Sequence, residues 1–163
     1  AGPAGLMTAY TFAKMVGNSK KVLLLDKKEP WKEPIFCAEA VSTDRLSKLW
    51  PIDRSWVRGD ISGIYFTSRK RYRAEFYSKN CGMILDRPKF HHSIADGCLN
   101  VGAECHFDTV VKKLSRNADG SWNLEVQPKG GEGETICAKA VVDATGPGSR
   151  LTRGITFIGK GSL

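Results

Sequence analysis

The sequence predicts an α/β fold: a parallel sheet with helices on its faces, a three-stranded antiparallel meander, and a separate β-rich patch near residues 60–85. Three observations predict it. A glycine-rich turn, a helical stretch and a short apolar run follow one another at the start, which is half of a β-α-β unit. A second amphipathic helix opens at Pro88. Beyond it, short alternating stretches are separated by strong turn signals.

Taken in order, Leu6, Ala9, Tyr10 and Ala13 recur at i, i+3, i+4 and i+7 and give the first helix one apolar face, which Gly17-Asn18 should stop. Lys21 to Asp26 reads as a strand buried on both faces, as in a parallel sheet. Lys27 to Pro34 is charged, carries two prolines and reads as a loop. Ala38 to Trp50 is expected to be a helix, with Val41, Leu46 and Leu49 apolar. Ile61–Ser68 and Tyr72–Tyr77 read as a hairpin with Arg69-Lys70-Arg71 as its solvated tip, and Gly82–Leu85 as a further strand. Proline is welcome at the first position of the next helix, where Phe90, Ile94, Cys98 and Val101 share a face and Gly102 ends it. The meander then runs from about Cys105 to Val142, through a first strand Cys105–Leu114, the turn Asn117-Ala118-Asp119-Gly120, a strand Trp122–Val126, the turn Gly130-Gly131-Glu132-Gly133 and a strand Thr135–Val142.

Composition bounds the function. A chain of 163 residues with 41% hydrophobic and 26% charged residues is an ordinary globular domain. Its longest purely apolar run, Val22–Leu25, is far too short to span a bilayer. The start shows no basic stretch followed by an apolar one, so no secretory leader is read there. Five scattered cysteines, with no C-x-x-C pair, argue against a disulfide framework or a zinc site and favour a reducing cytoplasm. The net charge of +8 is spread along the chain, so nucleic acid is not the expected partner. His91 and His92 are adjacent on a helix and point apart, so no metal is expected there.

Two motifs carry chemistry. Gly2-x-x-Gly5 before a helix is most of the Rossmann-type fingerprint G-x-G-x-x-G, in which glycines admit a pyrophosphate to the free N–H groups of a helix start. Alone it is equally a small-residue helix entry. Asp26, which ends the next strand 21 residues beyond Gly5, stands where an acid bonds a ribose hydroxyl. Val141-Val142-Asp143-Ala144-Thr145-Gly146 is the second motif, an acid and small residues where a ligand nears a sheet edge, or else simply a tight turn. Their order along the chain is more specific than either motif.

With these residues the sequence resembles the geranylgeranyl reductase branch of FAD-dependent oxidoreductases, which share a fold with aromatic hydroxylases. The matching stretches are Ala1–Gly5, Val22–Lys28, Phe36-Cys37-Ala38-Glu39-Ala40-Val41-Ser42, Leu85-Asp86-Arg87-Pro88-Lys89-Phe90 and Asp143–Gly146, and the third and fourth discriminate. The resemblance implies FAD, with Gly2, Pro3, Ala4 and Gly5 at its pyrophosphate, Asp26 at the ribose and Lys27 near the adenine. It places Asp143 to Gly146 beside the adenosine half, Arg87 toward FAD, and the Cys37–Val41 segment along the flavin ring, with Ala38 and Ala40 where the family usually has glycine. Cys37 is then the candidate catalytic acid or redox partner and Glu39 a second, although cysteine is also a common small core residue. A thiolate at Cys37 needs a nearby positive charge, and Lys32 is the near one in sequence. Cys81, Cys98, Cys105 and Cys137 read as core or strand residues.

The resemblance further implies reduction of C=C bonds in a geranylgeranyl or polyprenyl chain. The substrate is a prenyl lipid or prenyl diphosphate, the electron donor is unspecified, and peripheral membrane contact is left open. The chain reads as one FAD-binding domain, 1–163, cut short at both ends, with strands 60–85 starting a substrate-side sheet. A glycine–aspartate segment is expected well after Gly146, and Gly159-Lys160-Gly161 is a poor match to it, so this chain alone is expected to be inactive. A flavin monooxygenase of the hydroxylase type, or an inactive fragment serving as an interaction module, are the competing readings.

Overall fold

The computed structural model describes residues 1–32, 35, 37–68, 72–146, 149 and 151. Arg69-Lys70-Arg71, Phe36, Pro147-Gly148 and Gly159-Lys160-Gly161 lie outside the described residues. The chain forms two units, one of residues 1–30 and 94–163 and one of residues 31–93, with the boundary inside a helix.

In the first unit, α1 (Pro3–Val16) has Pro3 in its first turn and buries Gly5, Leu6, Ala9 and Ala13. Gly17 closes it at φ 52°, a left-handed conformation that glycine adopts without the Cβ penalty. β1 (Leu23–Leu25) pairs in parallel with β5 (Glu104–His106), Leu24 opposite Cys105. The parallel pairing is as the sequence predicts, but only Leu24 is buried, while Leu23 and Leu25 are half-exposed. The burial on both faces that the sequence predicts for this strand is therefore only partial.

The meander is β6 (Thr109–Arg116), β7 (Trp122–Pro128) and β8 (Glu134–Ala138), antiparallel in that order, with Leu124 and Val126 of β7 buried. Two boundaries differ from the sequence reading. Cys105 belongs to the parallel pair and not to the meander, because Asp108 takes a left-handed turn at φ 51° and splits Cys105–Leu114 into β5 and β6. Aspartate is among the few side chains that tolerate that region. The last strand ends at Ala138, and Val141–Asp143 run without a ladder. The Thr109 amide donates to the Asp26 carbonyl at 2.8 Å, tying the meander to the end of β1.

In the second unit, β2 (Ala40–Val41), β4 (Arg73–Leu85) and β3 (Val57–Thr67) form an antiparallel sheet in the order β2-β4-β3. The expected helix Ala38–Trp50 is reduced to α2 (Thr43–Ser47). Glu39 breaks it at φ 63°, the next two residues join the sheet, and Ser42 caps α2 by accepting from the Arg45 amide at 3.4 Å. Pro51 then disfavours helical backbone at Trp50. The stretches Tyr72–Tyr77 and Gly82–Leu85 are one strand rather than two. Ile61 pairs with Gly82 and Gly63 with Tyr77, so Ser78–Cys81 bulge out opposite Ser62, with Asn80 at φ 58°. Trp56, Met83, Leu85 and Phe90 are buried, and the Trp56 and Phe90 rings lie 5.1 Å apart.

The last helix, α3 (Arg87–Asn100), buries Phe90, Ile94 and Cys98 as its spacing predicts, and Gly102 at φ 86° turns the chain after it. Among the described residues no helix is long and apolar enough to cross a membrane.

Gly82 tests the second unit. A methyl group there would sit 2.8 Å from the Val41 carbonyl oxygen and 3.2 Å from Ile61 Cδ1, where β2 meets β4. Gly82→Ala is expected to lower stability by about 1–3 kcal/mol, read as a fall in the urea midpoint. Gly59→Ala on the same sheet meets nothing within 4 Å and should shift that midpoint far less.

Candidate functional site

The fold sorts the expected site residues into two groups. Gly2, Pro3, Ala4, Gly5, Asp26, Lys27, Asp143 and Gly146 belong to the first unit; Cys37, Glu39 and Arg87 belong to the second.

In the first group the two glycines do different things. Gly2 precedes α1 in extended backbone, φ −70° and ψ 177°, with nothing among the described residues within 4 Å of where a side chain would begin. No described residue demands glycine for packing at this position. No side chain caps α1, so its first N–H groups stay available to an anion. Gly5 is a packing residue. A Cβ on it would lie 3.5 Å from the Ala144 Cβ and 3.7 Å from Leu24 Cδ1, so α1 enters close against both β1 and the Asp143 loop.

Asp26 ends β1, where its carboxylate accepts from the Lys28 amide at 3.1 Å. Lys27 is exposed. Asp143 shapes its own loop: Oδ1 accepts from the Thr145 amide at 2.9 Å and hydroxyl at 2.6 Å, and Oδ2 from the Ser149 hydroxyl at 2.5 Å. Gly146 follows at φ 86°, with no described residue within 4 Å of where a side chain would begin.

In the second group, Cys37 and Arg87 come together from 50 positions apart: Arg87 Nη1 donates to the exposed Cys37 Sγ at 3.5 Å. Arg87 thus sets a positive charge at the thiol from far along the sequence. The Glu39 amide also donates to Sγ, at 3.3 Å. The left-handed backbone falls on Glu39, between Ala38 and Ala40, and so the segment is bent at a residue that pays about 1–3 kcal/mol for it. The Glu39 carboxylate lies 3.5 Å from Arg58 Nη1, and Arg58 Nε lies 3.5 Å from Asp86.

Sequence reasoning missed His91 and Arg58. His91 is 4% exposed, and its Nε2 lies 2.6 Å from Arg87 Nη2. A guanidinium only donates, so that ring nitrogen is the acceptor. The i,i+4 spacing of Arg87 and His91 on α3 was the available signal. His92 turns elsewhere, its ring edge-on to Trp31 at 4.5 Å. Arg58 carried no comparable signal, because its role depends on the sheet.

Within the first unit the residues fit a pyrophosphate: Gly2 adds no side chain at the helix start and α1 offers uncapped N–H groups. Within the second unit, Arg87 Nε is buried with no acceptor among the described residues. An orphaned cationic donor is what an absent acceptor-bearing ligand leaves behind.

Comparison with known proteins agrees. The family described as FAD dependent oxidoreductase matches residues 36–161. The chain is similar to digeranylgeranylglycerophospholipid reductase of Methanosarcina acetivorans, 31% identical over 157 residues, which is 94% of this chain and 38% of that protein. Its counterpart from Methanocaldococcus jannaschii is 32% identical over 152 residues, 93% of this chain and 37% of that protein. The chain therefore spans about two-fifths of the length of these relatives. Among solved structures, a geranylgeranyl bacteriochlorophyll reductase-like protein from Thermoplasma acidophilum superposes with a TM-score of 0.71 at 20% identity, covering 83% of this chain and 34% of that one. Halogenase PltM, in complex with phloroglucinol and FAD, superposes with a TM-score of 0.67 at 17% identity, covering 93% of this chain and 35% of that one. These two likenesses speak for the fold. The family match, which covers most of the chain, speaks for the cofactor: this chain belongs to the FAD-dependent oxidoreductases.

Proposed function

We propose that the full-length parent protein saturates isolated C=C bonds in a geranylgeranyl or polyprenyl chain. The observation that carries this reading is the similarity of nearly the whole chain to relatives named as reductases of a digeranylgeranyl lipid. On this reading Gly2, Pro3, Ala4 and Gly5 hold the FAD pyrophosphate, Asp26 the ribose, and Lys27, Asp143 and Gly146 flank the adenosine half. Bound there and reduced, FAD would supply the hydride chemistry that saturation of a C=C bond needs. Cys37 gives the proton to one alkene carbon, and the thiolate left behind faces the Arg87 guanidinium, which His91 holds from its far side. Glu39 is the second candidate acid.

Residues 60–85 start the substrate-side sheet of the parent protein. Supporting this, Ile64, Phe66 and Phe76 share one face of the β3–β4 ladder while 52%, 61% and 61% exposed, an apolar row suited to a prenyl chain or to further protein. The net charge of +8 suits an anionic head group, a prenyl diphosphate or a phospholipid, at a membrane surface reached from a reducing cytoplasm. The electron donor belongs to the parent protein's partners. This chain by itself is expected to turn over nothing.

The decisive assay gives reduced, FAD-loaded parent protein a geranylgeranyl lipid and looks by mass spectrometry for gains of about two mass units per bond, one hydride plus one proton. Hydroxylation of aromatic substrates without such gains replaces this reading with a monooxygenase. Cys37→Ser is expected to cut saturation at least tenfold while FAD stays bound; unchanged saturation removes the thiol's role and keeps the family. Gly2→Ala separates cofactor from fold. It should leave stability level or raise it by up to about 1 kcal/mol, since the backbone there suits any residue. FAD affinity of the parent protein, read by fluorescence quenching, should fall about tenfold or more, as the new methyl group intrudes on the pyrophosphate.

A further inference from the structure

Arg87 has unusual partners for an arginine. Its guanidinium donates to a thiol and lies against an imidazole, and among the described residues it forms no ion pair. Two carboxylates nevertheless stand close by. Asp86 is its neighbour in the chain. The Glu39 amide touches the same Cys37 sulfur that Arg87 Nη1 does, at 3.3 Å against 3.5 Å, so the Glu39 side chain starts within reach of that guanidinium. Sulfur is a weak acceptor, whereas a guanidinium and a carboxylate make a strong charge-assisted pair. Left to itself, Glu39 would draw Arg87 away from Cys37.

Arg58, on β3, occupies that carboxylate. Its Nη1 lies 3.5 Å from Glu39 and its Nε 3.5 Å from Asp86. Asp86 is the fixed end of this bridge. Its side chain is only 18% exposed, its amide donates to the Trp56 carbonyl at 2.7 Å, and its Oδ1 accepts from the Lys89 amide at 3.2 Å. Arg58 is therefore anchored at the start of α3, and its other arm reaches Glu39. Asp86 has a second cation in Lys89 Nζ, at 3.9 Å, but among the described residues Glu39 is paired with Arg58 alone.

We infer that Arg58 is a positioning residue that holds the Glu39 carboxylate off Arg87 and so keeps the Arg87 guanidinium on the Cys37 thiol. A half-exposed bridge of this kind adds little to folding stability. Its effect is on which acceptor Arg87 serves. The inference rests on the Cys37–Arg87 site proposed above and adds to it the residue that keeps the charge in place.

The test alkylates the full-length parent protein with iodoacetamide at neutral pH and follows Cys37 by peptide mass spectrometry. A guanidinium at the sulfur favours the reactive thiolate. Arg58→Met keeps the apolar stem and removes the charge, and it is expected to slow Cys37 alkylation about threefold or more while the urea midpoint stays unchanged. Glu39→Gln keeps the length of the side chain and removes the competing charge. In that background Arg58→Met should change the rate by less than about twofold, because there is no carboxylate left to hold off. A purely structural role for Arg58 would slow alkylation equally in both backgrounds. Slowing that persists with Glu39→Gln therefore overturns the inference, and so does an Arg58→Met protein that alkylates at the wild-type rate. Alkylation needs no prenyl substrate, so a failed saturation assay counts against the reductase reading alone.

Discussion

The close entry of α1 against β1 is the constraint on which the first unit depends. Gly5 lets the helix axis fall to where Leu24 Cδ1 and the Ala144 Cβ stand in ordinary van der Waals contact with the position of a β-carbon. A methyl group would just fit there, and any larger side chain would lever the helix away from the strand. That approach buries Leu6, Ala9 and Ala13 and sets the direction in which the uncapped N–H groups of α1 point. It also brings the Asp143 loop to the helix start. Gly2 lies outside the constraint: no described residue packs where its side chain would begin. The two glycines of the fingerprint therefore differ, one held by packing and the other not.

Local order was legible in the sequence wherever one interaction range decided the outcome. The faces of α1 and α3, the parallel setting of β1 and the turns of the meander follow from periodicity and from glycine or aspartate at reversals. What escaped was decided at a distance. Ala38–Trp50 has the composition of a helix, but β4 offers Ala40 and Val41 a ladder, and the left-handed Glu39 starts the chain toward it. Ser78–Cys81 looked like a break between strands, because nothing local tells a turn from a bulge that leaves the strand running. Cys105 looked like the first residue of the meander because its alternation is shared by both strands, and only Asp108 decides where one sheet ends and the other begins.

The candidate site shows the same split. Gly2, Gly5 and Asp26 announce themselves by spacing, since a helix start and the next strand end are fixed relative to each other by β-α-β geometry. Arg87 and Cys37 stand 50 residues apart, and their contact depends on the inserted sheet. The family resemblance named both residues but could not say that each faces the other. Sequence proximity offered Lys32, and the fold adds Arg87.

Arg87 is also where the local chemistry is most demanding. Its guanidinium reaches Cys37 with one nitrogen and His91 with another, while the third, Nε, is buried without an acceptor. A cation held on a buried imidazole must find that ring in its neutral form, since a protonated ring would lose its lone pair and repel the guanidinium. His91 therefore sets Arg87 in place only while it is uncharged, and Arg87 in turn fixes which side of the Cys37 thiol meets positive charge. Glu39 adds a second constraint: its left-handed backbone turns its amide onto the same sulfur, a strained conformation that the Leu85-to-Glu39 hydrogen bond at 3.0 Å helps to hold. Two independent devices, a helix-borne arginine and a bent strand entry, thus converge on one exposed thiol. The Glu39 bend also leads Ala40 and Val41 into their ladder with β4, so one strained residue serves the sheet and turns its amide onto the sulfur.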